Sequence, residues 1–313
     1  MLLAMPFVAA AQEDEKDSTE TNCCNNGLTR EIRDLYPRKG KFYVEWGYNN
    51  SAYSHSDIHF WGSGYDFSIT DIRATDGQTP FSATYYKPTE FTIPQFNWRI
   101  AYYLSDKTFI SFGQDHMKYT MAKQTTKLTG HIDANLPNAG TYDHAEVTVG
   151  EDAEVNNPGP GYIDNLPKGF VSNFEHCDGL NDFALEIGRI EQVWISKNRK
   201  HALAVTGSAG PGMVIPDSDV DLLGQPPKHD MEAGKKAFHL AGYSLSASLG
   251  LQLDLFRRIT IQPRMKFGYI NLPDINTTEY GGKASQHFNF IETFLMVGYT
   301  FKINHNHAVK PAK

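Results

Sequence analysis

Between Tyr243 and Leu255 the chain alternates without a break. Tyr243, Leu245, Ala247, Leu249, Leu251, Leu253 and Leu255 share one parity; Ser244, Ser246, Ser248, Gly250, Gln252 and Asp254 share the other. A β-strand points successive side chains to opposite faces, so this segment is a ribbon with one apolar and one polar face. It is about twice as long as a typical soluble strand, and a strand tilted across a bilayer needs about 9–11 residues. The pattern predicts a transmembrane strand with its apolar face in lipid and its polar face toward an enclosed interior.

The next segment repeats the pattern. Ile259, Ile261, Met265, Phe267 and Tyr269 oppose Thr260, Gln262, Arg264, Lys266 and Gly268, and only Phe256, Arg257 and Arg258 intervene, which predicts a tight hairpin. A cation on the lipid face near the midplane costs about 2–4 kcal/mol, so Arg264 and Lys266 must line the interior. A soluble β-sandwich or lipocalin-like barrel would also alternate and is the competing reading. No run of eighteen apolar residues occurs, which excludes a helical span. Sixteen Tyr and nineteen Phe suit the aromatic girdles of a barrel, and a formal charge of −7 argues against a nucleic-acid binder.

Residues 1–11 end in Ala9-Ala10-Ala11 and read as a signal peptide, truncated because the positive leading region is missing. Residues 12–40 read as a periplasmic leader, with a short helix carried by Leu28, Ile32 and Leu35 that lies outside the barrel mouth. The barrel is expected over 41–303 and a polar tail over 304–313. Cys23, Cys24 and Cys177 form neither an even disulfide framework nor a zinc spacing, and no chemistry is assigned to them.

Strands are expected near 41–49, 55–61, 65–73, 91–104, 108–121, 181–195, 200–209, 238–255, 259–270 and 287–303. The fold class is therefore an all-β antiparallel transmembrane barrel of about ten strands, with eight or twelve as alternatives and room for another hairpin within 122–180. The connections at 105–107, 196–200 and 256–258 are short and should be periplasmic. The long stretches 74–90, 122–180, 210–237 and 271–286 should be extracellular. The final strand, with Gly298 followed by Tyr299, Phe301 and Ile303, resembles the signal read by the barrel-assembly machinery, though Ile303 stands where an aromatic is usual and a tail follows.

Placing polar faces inward puts Glu45, Asp66, Arg99, Glu186, Arg264, Lys266 and Glu292 in the lumen. Side chains can fill a barrel this narrow, so a closed, mutually paired interior is favoured over an open pore. A second set gathers at the extracellular end: His55, Asp57, His59, Asp115, His116, His176, Asp178, His239 and His287. Asp57 and His59 oppose Ile58 and Phe60 and so read as inward-facing; Asp115 and Asp178 also carry inward parity, whereas His239 and His287 carry lipid-side parity. As a catalytic set, Asp57, His59, Asp115 and His176 could activate water. As a metal set, His59, Asp115, His176 and Asp178 could hold Zn²⁺ or Ca²⁺. A solvated, hydrogen-bonded rim is the favoured reading, because no single spacing is diagnostic. Asp217-x-Asp219-x-Asp221 starts like a calcium loop but has Leu222 and Lys228 where Gly and Glu are needed, and no nucleophile elbow or phosphate loop occurs.

The strings Trp46-Gly-Tyr-Asn49, Ser56-Asp-Ile-His-Phe60, Asp115-His-Met-Lys-Tyr119, Phe174-Glu-His-Cys-Asp-Gly179 and Ser285-Gln-His-Phe288 resemble those of an uncharacterised outer-membrane β-barrel family of Bacteroidota, over roughly 41–303. The resemblance implies fold and location and brings no activity. Omptin proteases and lipid A deacylases place Asp, His or Ser chemistry at a barrel's outer end, but their motifs are not matched. The leading expectation is a barrel that binds or assembles through its extracellular loops, with outer-membrane lipid, lipopolysaccharide or an outer-membrane protein complex as partners and divalent cations bridging acidic loops to lipid phosphates. The alternatives are an outer-leaflet or surface hydrolase acting on lipid A or protein, and a small-solute channel.

Overall fold

A computed structural model describes residues 36–87, 89, 90, 92–150, 169–228 and 236–303, apart from the side chains of Cys177 and Asp178. The expected signal peptide, the helix of 28–35, Cys23, Cys24 and the tail 304–313 lie outside the described residues. The strands are β1 (Phe42–Tyr53), β2 (Ser56–Gly62), β3 (Tyr65–Ile72), β4 (Ala74–Thr75), β5 (Phe96–Tyr103), β6 (Thr108–Met121), β7 (Gln124–Ile132), β8 (Gly140–Val149), β9 (Val171–Ile195), β10 (Ala202–Pro216), β11 (Asp219–Leu222), β12 (Gly242–Leu255), β13 (Ile259–Asn276) and β14 (Lys283–Phe301).

Eight of them close a ring in the order β1-β5-β6-β9-β10-β12-β13-β14, and β14 returns to β1. The closing pair runs antiparallel from Phe42↔Phe301 to Tyr53↔Phe290, and the other edge of β1 pairs with β5 from Phe42↔Tyr102 to Tyr48↔Phe96. Closure satisfies every wall strand's backbone internally, which is the condition for a sheet to cross hydrocarbon. The outward parity of these strands stays exposed: Ile100, Phe112, Leu185, Ile187, Leu251 and Val297 all do, with Leu245 and Leu249 at 62% and 64%. A soluble sandwich or lipocalin would bury one apolar face of each strand; here the apolar band encircles the wall from outside. The protein is a transmembrane β-barrel.

The wall holds eight strands, the lower of the expected alternatives. The expected strands at 55–61 and 65–73 exist as β2 and β3, but they form a hairpin beyond the end of the wall, because both edges of β1 are already taken and seven or eight residues are too few to cross. The region 122–180 does contain a further hairpin, β7–β8, and 271–286 is mostly strand, because β13 and β14 continue upward. The three connections expected to be short are short, joining β5 to β6, β9 to β10 and β12 to β13.

Along β14 the outward face changes character: Tyr299, Val297, Leu295 and Ile291 point outward below, and Asn289, His287, Ser285 and Lys283 point outward above, while the inward face carries Met296, Phe294, Glu292, Phe290, Phe288, Gln286 and Ala284. The membrane boundary therefore crosses β14 between Ile291 and Asn289. Above it, β2 pairs with β14 through Ile58↔Gln286, and the sheet continues through β3, β7 and β8. This upper layer has water outside and a continuous apolar core inside, including Ile58, Phe60, Phe67, Ile69, Leu128, Phe174, Ile270 and Leu272. At the periplasmic end Tyr43, Tyr103, Phe109 and Ile190 pack together, and Arg38, buried, pairs with Asp254 at 2.5 Å. Residues 36–38 thus cap that mouth.

Candidate functional site

Below the boundary the lumen is filled by one ionic network. The Arg99 guanidinium meets Asp115 with two nitrogens, at 2.8 and 2.9 Å. The Lys266 ammonium lies 2.5 Å from Asp115, 3.4 Å from Glu186 and 3.6 Å from Asp182. Arg264 reaches Glu45 at 3.4 Å, and the Asn97 amide donates to both Asp115 and Glu292. Gly113 makes room for this: a Cβ there would lie 2.3 Å from Arg99 Cγ and from the Trp98 carbonyl oxygen. Three cations, Arg99, Arg264 and Lys266, thus face five carboxylates, Glu45, Asp115, Asp182, Glu186 and Glu292, all buried.

Glu45, Arg99, Glu186, Arg264, Lys266 and Glu292 occupy the lumen as read from parity. Asp66 does not: it lies on the water-facing side of β3, with its carboxylate 2.8 Å from His59 Nε2. Asp182 was missed, although it shares the parity of Glu186; in register it sits opposite Asp115.

The mouth residues fall into separate settings. Asp115 belongs to the lumen network, and His116, one parity away, stacks on Phe96 at 4.7 Å and bonds Asn181. Asp57 and His59 point outward into water, because above the boundary it is the apolar Ile58 and Phe60 that turn inward. His176 is fully buried in the upper core, with Nδ1 2.7 Å from Ser218 Oγ and with Phe174 and Tyr119 around it. Burial holds its imidazole down to about 3, so it is neutral at physiological pH. His239 pairs with Asp274 at 2.7 Å. The structure therefore does not bring Asp57, His59, Asp115 and His176 together; the side chain of Asp178 lies outside the described residues. Among the described residues no group of three or more His, Cys, Asp or Glu is placed to hold a metal ion.

Sequence reasoning also missed the Ser218–His176 contact. A hydroxyl on an imidazole is the beginning of a nucleophile–base pair. Here Ser218 and His176 are 4% and 0% exposed, so the pair is sealed from substrate and serves the core.

What the fold does assemble is a polar recess on the outer surface, just above the boundary. β1 leaves β14 after Tyr53, and β2 begins at Ser56 with a register shift before Ile58. Into that irregularity turn His55, Asp57, Asp71 and His287, around a volume of about 340 Å³ also lined by Ser54, Thr70, Tyr269 and Asn289. His55 Nδ1 lies 2.7 Å from Asp71 Oδ1, and the Asp71 N–H donates to Asp57 at 2.9 Å. Asp71 has φ +58, a left-handed conformation that Asp tolerates better than most residues. His55, Asp57 and His287 were legible as residues of the extracellular end; Asp71 becomes their neighbour only through the β2–β3 register.

No protein-family model matches the sequence, and no curated protein does. Among solved structures the chain is similar to the outer membrane protein OprG from Pseudomonas aeruginosa, at 12% identity over 86% of this chain and 100% of that one, with a TM-score of 0.41. It is also similar to Ail, the attachment invasion locus protein of Yersinia pestis, at 10% identity, 84% and 99% coverage and a TM-score of 0.32. The outer membrane protease OmpT from Escherichia coli aligns at 8% identity, 86% and 100% coverage and a TM-score of 0.36. At such identities and TM-scores these likenesses decide nothing about activity.

Proposed function

We propose that the protein is a non-conducting outer-membrane scaffold whose extracellular β-structure binds a partner molecule at the cell surface. One observation carries this reading: the inward faces of the wall strands are salt-bridged in the membrane and apolar above it. The first filling argues against an open aqueous path for a solute, and the second supplies the core that a folded, water-exposed layer on the barrel needs. A channel has no use for such a core, whereas a binding surface needs a rigid support. The three short connections at the other end support an outward-facing position for this layer.

Two measurements on the protein in mild detergent or bilayers test the reading. Planar-bilayer recordings should show no conductance steps. Extraction from the native outer membrane should retain a protein or glycan, and retention should be lost when the β7–β8 hairpin, 124–149, is replaced by a short turn. Steady conductance, or a barrel that is solitary under every mild extraction, contradicts it.

A further inference from the structure

The segment between β4 and β5 folds back onto the outside of the wall. It is held there by Tyr48, an outward residue of β1 that stands opposite the lipid-facing Leu295. Ile291, the last apolar outward position of β14, stands opposite Ala52, so Tyr48 lies two outward positions below the membrane boundary. The Tyr48 hydroxyl donates to the Tyr85 carbonyl at 2.7 Å, and the two rings meet edge-on at 4.9 Å. Phe81 then packs on Tyr85 at 5.3 Å and on Tyr86 at 5.8 Å. On the wall beside and below Tyr48, Trp46 stacks on Phe96 at 4.6 Å and Phe96 on His116 at 4.7 Å. Wall and segment thus share one aromatic surface that meets the boundary.

We propose that this segment is an interfacial anchor: Phe81, Tyr86 and Ile93 insert into the headgroup–acyl boundary of the surrounding bilayer, with Tyr85 as the link to the wall. Three observations carry it. Phe81 and Tyr86 are 76% and 73% exposed, more than Leu245 and Leu249 on the lipid-facing wall, and Ile93 is exposed as well. Such a patch marks an interaction surface, and aromatic rings with a polar tip suit the membrane–water interface. The backbone of the segment is paired from within, as entry into an apolar layer demands. Tyr85 N–H donates to the Ser82 carbonyl, Tyr86 and Lys87 to Ala83, Glu90 to Lys87, and Ile93 to Glu90. The occupant is the bilayer itself, because the patch is joined through Tyr48 to a wall that already faces acyl chains. The anchor ties the upper layer to the membrane on the β1–β5 side. It rests on the barrel's position in the membrane and not on what the upper layer binds.

The test uses the full protein in phosphatidylcholine vesicles, with Cys23, Cys24 and Cys177 replaced and one environment-sensitive fluorophore attached at Phe81→Cys or Tyr86→Cys. Asp66→Cys, on the water-facing side of β3, is the reference, and heat-modifiable gel mobility confirms that each variant is folded. At 81 and 86 a nitroxide carried high on the lipid acyl chain should quench several-fold more than at 66, and aqueous iodide several-fold less. Phe81→Trp, in the otherwise unaltered protein, repeats the measurement without a label. Its added tryptophan emission should be quenched by phosphatidylcholine brominated high on the acyl chain, which excludes insertion driven by the fluorophore. Iodide quenching at 81 and 86 equal to that at 66 overturns the proposal. So does shielding from both quenchers, which marks a protein contact, or added tryptophan emission that the brominated lipid leaves untouched.

Discussion

Replacing Lys266 by Met probes the lumen where its ion pairs converge. The ammonium is fully buried and serves three carboxylates, Asp115, Glu186 and Asp182, at 2.5, 3.4 and 3.6 Å. Met has nearly the same volume, so packing changes little and the charge is what is lost. Asp115 keeps Arg99, and Glu186 keeps Arg99 at 3.6 Å, but among the described residues Asp182 is left with the Ser244 hydroxyl at 2.7 Å. Three cations against five carboxylates become two against five. Removing one partner of a buried pair costs about 3–5 kcal/mol, because the remaining charge stays desolvated. The Lys266→Met variant should lose about that much in reversible denaturant unfolding from lipid vesicles, followed by tryptophan emission. Adding Asp182→Asn deletes the stranded carboxylate, so the double variant should be more stable than the sum of the single effects by about 0.5–3 kcal/mol. A loss under 1 kcal/mol for Lys266→Met, or strict additivity in the double variant, would refute a sealed lumen and indicate that water reaches these groups.

The upper layer carries groups with opposite pH responses. His176 titrates lower in the folded protein than in the unfolded chain, so its contribution is complete above about pH 6.5 and lost as pH falls toward 3, at about 1.4 kcal/mol per unit. Hydrogen exchange in β9 and β11 should report that slope, and His176→Gln should flatten it; an unchanged slope means another group titrates. Burial, then the neighbouring Glu175, pushes the Asp221 carboxyl up to about 6, so stability falls as pH rises from about 4 to 6. Asp221→Asn should stabilise the layer at pH 7 by about 1 kcal/mol after allowance for its partial exposure, read as a shift in protease resistance; a loss of resistance contradicts this. Gly113→Val should drive a branched side chain into Arg99 and the Trp98 carbonyl and stop the barrel reaching its folded, heat-modifiable form; normal folding would mean β5 and β6 are not in this register.

How much was legible in the sequence depends on which solvent surrounds each strand. For β12 and the lower part of β13, period two with Arg264 and Lys266 on one face fixes which face turns inward once the strands cross a membrane, because a cation facing lipid costs about 2–4 kcal/mol. The same period in β2 and β3 carries the opposite meaning. There the outside is water, so Ile58, Phe60, Phe67 and Ile69 turn in and Asp57, His59 and Asp66 turn out. Reading the polar face as the inward one fails for all three residues for that one reason. Only length separates the two cases: seven or eight residues against fourteen. Along β13 the inward positions pass from Lys266 to Ile270 and Leu272 with parity intact; the loss of contrast, together with Pro273 and Asp274, reads in sequence as a loop. Asp115 was correctly turned inward, but its height was not legible, because height depends on the register with β5 and β9. Of the recess, the sequence placed His55, Asp57 and His287 at one end of the barrel but not their meeting with Asp71, which arises where β1 leaves β14 and β2 rejoins it.

The central claim is that alternate residues of the wall strands face lipid and an enclosed core. Spin labels placed singly at positions 245 to 253 of β12, in a background with Cys23, Cys24 and Cys177 replaced, measure this directly in lipid vesicles. Labels at Leu245, Leu249, Leu251 and Leu253 should collide with oxygen and not with a water-soluble nickel complex, while labels at Ser246, Ser248 and Gln252 should be shielded from both. Uniform accessibility along the strand, or nickel access to either face through the middle of the span, would contradict it.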